Sequence, residues 1–137
     1  MKAKSTYAVT KWDESTIDQI SASTKLTKAS VEYAFGGELQ GKAKVEYLMF
    51  YRHFDQNDQH RSRASYIGFI RFEGTLSGKP GSFVMQDSGT FEGGAAVSAL
   101  QIQDGSGTGS LAGISGTATY RADREGYHFE LDYTLPS

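Results

Sequence analysis

The sequence predicts an all-β domain, a closed antiparallel barrel of about eight strands that takes up residues 1–137 as one unit. Three observations carry this. Apolar and polar residues alternate in one stretch after another, which is the period of a half-buried strand. Sixteen glycines, eight tyrosines and eight phenylalanines favour strands and turns over helices. A glycine-bounded segment centred on leucine returns three times at nearly regular spacing: Gly37-Glu38-Leu39-Gln40-Gly41, Gly74-Thr75-Leu76-Ser77-Gly78 and Gly109-Ser110-Leu111-Ala112-Gly113. Each copy reads as a corner where backbone freedom lets a strand begin or bend while the leucine plugs the core.

The strands follow in order. Tyr7 and Val9 fit the first, and Val31, Tyr33 and Phe35 the second. Leu39, Ala43, Val45, Tyr47, Met49 and Tyr51 make the apolar face of a third, with Gln40, Lys42, Lys44 and Glu46 opposite. Tyr66, Ile70 and Phe72, with Gly68 among them, form a fourth face. Phe83, Met85 and Phe91 form a fifth, together with Asp87 and Gly89. Leu100 to Ile102, Thr117 to Tyr120, and the series Tyr127, Phe129, Leu131, Tyr133, Leu135 complete the set. Asp13 to Ile20 is the one helical candidate, which Asp13 could cap, but it is too short to make a convincing helix.

The bulk numbers exclude several classes. There is no cysteine, hence no disulfide framework, thiolate metal site or cysteine nucleophile. Net charge is −2, which leaves no basic excess for nucleic acid. The basic start, Met1 to Tyr7, is not followed by an apolar segment, and no run is long enough for a membrane span. The expectation is a cytoplasmic protein without a membrane or nucleic-acid partner.

Most motif-like strings fail on physical grounds. Gly107 to Ala112 matches a dinucleotide fingerprint in letters, but no amphipathic helix follows to hold a pyrophosphate. Arg52 to Arg63 contains His53, Asp55, Asp58 and His60, but no pair of ligands is placed on a rigid element, so a solvated hairpin tip is expected and no metal. His128, Glu130 and Asp132 share the wet face of their strand. Asp87 is the anomaly. It shares period-two phase with Phe83, Met85 and Phe91, so an inward face would bury a carboxylate and raise its pKa. A bulge at Ser88-Gly89 would instead turn it outward.

Taken as ordered segments, the chain resembles a bacterial family of uncharacterised proteins, a domain of unknown function whose members look like the allene oxide cyclase barrel. The segments are Lys28-Ala29-Ser30-Val31, Gly37 to Gly41, Val45-Glu46-Tyr47-Leu48, Gly81 to Gln86, Ser88 to Gly93 and Gly105 to Gly113. The resemblance implies an eight-stranded barrel with an internal cavity. No residue set matches the cyclase's functional motif, so none is carried over. The chain departs from the family pattern at Asp87, where histidine is usual, and at Ile70, where glutamate is usual.

The leading functional expectation is a binding barrel that takes a small, largely apolar molecule into its interior, lined by Tyr33, Tyr47, Tyr66, Phe83, Met85, Asp87, Tyr120 and Phe129. Asp87 is the candidate polar anchor, or the acid/base group of a cyclase- or isomerase-type enzyme, with Glu46 as runner-up. A third possibility is a barrel packed solid, acting through its surface. No cofactor is implied. Leu48, Phe50, Ile67 and Phe69 fall on the outer face of their strands and point to a homo-oligomer, a dimer first.

Overall fold

The computed structural model describes residues 1–58 and 61–136. Nine strands follow the chain: β1 (Lys2–Gln19), β2 (Lys25–Gly37), β3 (Leu39–His53), β4 (Arg63–Leu76), β5 (Lys79–Glu92), β6 (Ala95–Ile102), the two-residue β7 (Thr108–Gly109), β8 (Ser115–Asp123) and β9 (Gly126–Thr134). Eight of them run up and down in one antiparallel ring, β4-β3-β2-β1-β9-β8-β6-β5, and the β4–β5 pairing from Ala64↔Phe91 to Leu76↔Lys79 closes it. β7 lies beside β5, at Gly81↔Gly109 and Ser82↔Thr108. Every long strand pairs with its neighbours in sequence, and the single exception joins β1 to β9, over Lys2↔Asp132 to Thr6↔His128. Among the described residues no helix is long and apolar enough to cross a membrane.

The one helical candidate, Asp13 to Ile20, is a strand: β1 runs through it to Gln19, paired with β2 from Asp13↔Ser30 to Gln19↔Lys25. A segment this short cannot hold a helix on propensity alone, whereas a strand here finds a ready partner in β2. β1 is also irregular, with register shifts between Val9 and Lys11 and between Thr16 and Asp18. The first is an extra residue, Thr10. It carries the inward face from Tyr7 and Val9 over to Trp12, Glu14 and Thr16, which stand opposite the inward Val31, Ala29 and Thr27. Pairing with β9 ends at Thr6↔His128, two residues from the start of β9 at Gly126, so β1 runs on beyond its neighbour on that side.

The interior has two halves. At the end that holds the β2–β3 and β4–β5 turns, Phe72, Phe83, Leu39, Leu76 and Leu111 are fully buried and Phe35 meets Phe129 edge-to-face at 5.2 Å. The leucines of all three glycine-bounded segments are thus plugs of one end: Leu39 faces Leu76 across β3–β4, and Leu111 lies over Gly81, where a Cβ would stand 3.0 Å from its Cγ. The other end is not filled.

Candidate functional site

In the unfilled half lies a cavity of about 590 Å3, open at the end bearing the β1–β2, β3–β4 and β8–β9 connections. Its wall is aromatic: ten of the residues lining it carry rings, among them Tyr7, Trp12, Tyr51 and Tyr127. Tyr7 stacks on Tyr127 at 5.3 Å and meets Tyr33 and Tyr120 edge-on.

The sequence-predicted residues divide between the two halves. Tyr33, Tyr47, Tyr66 and Tyr120 line the cavity. Phe83, Met85 and Phe129, also expected there, do not; they are packed into the filled end. Period two places all of these inside the barrel, but depth along the axis is invisible to it. Ile70 faces inward and is buried. Glu46 points outward and accepts a hydrogen bond from Ser30 at 2.6 Å. His128, Glu130 and Asp132 are exposed, as their wet face suggests. His60 lies outside the described residues, and among those described no cluster of three histidine or carboxylate side chains suits a metal.

Asp87 points inward and is fully buried. No bulge forms at Ser88-Gly89, because β5 keeps regular register with both neighbours there. Tyr47 donates its hydroxyl proton to Asp87 Oδ2 at 2.5 Å, and Tyr33 and Tyr47 hydroxyls lie 3.1 Å apart. The other carboxylate oxygen, Oδ1, has no hydrogen-bond partner among the described residues. Burial raises the Asp87 pKa from 3.8 to about 6, while the Tyr47 hydroxyl and the nearby Ser98 hydroxyl pull it down. Ser98 acts without bonding Oδ1; its oxygen pairs with Tyr66 at 2.6 Å, and Tyr66 pairs in turn with Tyr120 at 2.8 Å. Burial is also the first cause that pushes the phenols up, Tyr66 to about 12, Tyr33 and Tyr120 further, and Tyr47 well above its ordinary value. All are neutral hydroxyls at physiological pH.

Two glycines make this belt possible. Gly68 stands between Tyr47 and Asp87 in one cross-strand row, and Gly89 between Tyr66 and Ser98 in the next. A Cβ on Gly68 would come within 2.9 Å of the Tyr47 ring, and one on Gly89 within 2.6 Å of the Tyr66 hydroxyl. Each missing side chain is the gap through which a tyrosine on one strand reaches a polar group two strands away.

Higher up stands a second carboxylate that the helical expectation for Asp13 to Ile20 concealed. Glu14 accepts from the Trp12 indole N–H at 3.0 Å, the Thr27 hydroxyl at 2.6 Å and the Tyr51 hydroxyl at 2.8 Å. Trp12, Glu14 and Thr16 do alternate with Asp13, Ser15 and Ile17, and that period was the available signal. At the mouth the Lys25 ammonium sits 3.6 Å from the Phe54 ring centroid and 5.2 Å from that of Tyr51. Among the described residues, Glu14 and Lys25 are the two charged side chains that line the cavity.

A family model described as a protein of unknown function, DUF3224, matches residues 3–134. The chain is similar to the crystal structure of a protein of unknown function from the DUF3224 family of Shewanella oneidensis MR-1, with a TM-score of 0.74 and 20% identity. That match covers 100% of this chain and 98% of the other. At such identity it speaks to the fold. No curated protein matches.

Proposed function

The chain belongs to the DUF3224 family of proteins of unknown function, and from that premise we propose that it is a binding barrel for a small molecule with a flat, apolar body and a polar end. The observation that carries this reading is the half-filled interior. Eight-stranded barrels can be packed solid by their own side chains, and here one end is so packed. The other holds about 590 Å3, within the range of ligand pockets, walled by rings and floored by phenol hydroxyls. Large rigid aromatic surfaces bind flat apolar bodies at small entropic cost, and the hydroxyls fix orientation.

Trp12 is the only tryptophan and stands in the wall, so it reports on occupancy. The protein purified from its own host is expected to carry a retained small molecule in native mass spectrometry. Stripped protein should shift its tryptophan emission when that molecule is returned. Ala96→Phe, which projects a ring into the space, should abolish the shift and keep the strand-type circular dichroism. Empty protein, with tryptophan emission unmoved across a panel of aromatic and aliphatic metabolites, would reject the reading.

A cyclase- or isomerase-type enzyme is the second reading, favoured by one observation. The Asp87–Tyr47 pair joins a carboxyl group of pKa about 6 to a hydroxyl on the cavity floor. Proton exchange with a substrate would pass through the Tyr47 oxygen, because Asp87 itself lies behind that floor.

A further inference from the structure

The direction of the hydrogen bonds on the floor specifies which polar end fits, provided the cavity is a binding site as proposed above. Each phenol has one proton. With Asp87 ionised, the Tyr47 proton is committed to Oδ2, so Tyr33 must donate to Tyr47 across their 3.1 Å contact. Tyr33 then has no proton left, and its oxygen offers the cavity lone pairs only. Tyr66, bonded to both Ser98 and Tyr120, has one proton for two partners and must accept from one of them. The floor around Tyr33 is therefore an acceptor.

The electrostatics have the same sign. Among the described residues, the charged or titratable side chains with which Asp87 interacts are tyrosines, Tyr7, Tyr33, Tyr47, Tyr66 and Tyr120, contributed by five different strands, and no cation acts on it. Glu14 adds a second carboxylate on the wall. Lys25, the one ammonium that lines the cavity among the described residues, is held at the mouth over Phe54. Where a lining ring turns its face to the cavity, its quadrupole adds negative potential.

We propose that the cavity receives an organic ammonium ion with a flat apolar body, its N–H donors directed to the Tyr33 oxygen and its charge enclosed by aromatic faces in front of Asp87. A carboxylate in the same place would meet two like charges and find no free donor on Tyr33. A neutral alcohol could donate to Tyr33 but would gain nothing from the charge.

Three probes of one shape separate these cases by titration calorimetry near pH 7.5: 2-naphthylmethylamine, 2-naphthylmethanol and 2-naphthoate. The amine is expected to bind about tenfold tighter than the alcohol, with naphthoate weakest. Asp87→Asn should erase the preference of amine over alcohol. Tyr33→Phe, which keeps the ring and removes the acceptor, should weaken amine and alcohol together and serves if the Asn variant does not fold. Naphthoate binding as well as the amine, an amine preference that survives in Asp87→Asn, or amine binding undiminished in Tyr33→Phe would overturn the ammonium assignment and leave the binding barrel standing. Heat from none of the three probes would count against both.

Discussion

Asp87 is a carboxylate that the fold holds where ionisation is costly. Its pKa in the folded chain is raised from 3.8 to about 6, so the folded state favours the protonated form. The stability this gives is fully present below about pH 4 and is lost as pH rises through 6. A displacement of about two units at ~1.36 kcal/mol each makes that loss about 3 kcal/mol. Chemical denaturation of wild type and Asp87→Asn at pH 4 and pH 7.5 should show the wild type losing that much more than the variant across the interval; equal losses would contradict it. Tyr47→Phe removes a bond that favours the charged form, so the Asp87 carboxyl resonance should titrate above 6 in that variant. Much of this residue's situation could be read from the alternation of Phe83, Met85 and Asp87. What could not be read is its partner. Tyr47 lies forty positions away, and the two meet only because Gly68 of a third strand leaves the passage open.

At the scale of elements, β1 separates what the sequence shows from what it hides. The alternation of the other strands survives into the structure with its phase intact. β1 changes phase at Thr10, so period-two counting from Tyr7 loses the inward face, and the stretch beyond it fits a helix as well as a strand. Trp12 and Glu14, both part of the cavity wall, were missed for that reason. The same strand is paired on one side only beyond Thr6. Amide exchange followed by NMR should therefore alternate along residues 8–19, slow for N–H groups directed to β2 and fast for those directed to the vacant side. Uniform protection along the strand would mean that this side of β1 is covered, contrary to the pairing described.

For the molecule as a whole, the outer face of β2, β3 and β4 carries apolar side chains in neighbouring rows. Leu48 and Phe69 are 58% and 57% exposed, with Ile67, Phe50 and Leu26 beside them. Lys28 stands beside Leu48 in its row, and Glu46 two residues along the strand, so charges of both signs border the apolar rows. We expect a dimer at micromolar concentration in sedimentation, and a monomer for Leu48→Glu/Phe69→Glu; a monomeric wild type would remove the idea. Closure of the ring was legible from strand number and glycine corners, whereas the division into a solid and a hollow half was not, since it depends on which rings meet across the axis. The pairing of the first and last strands also sets how the chain must fold. Seven junctions of the ring are hairpin-like and can zip locally, but the eighth unites residues 2–6 with 128–132 through five pairs. That seam bears the largest loop-closure entropy in the chain, so joining it is the last and slowest step, and hairpins that have formed early wait for the two ends to find each other.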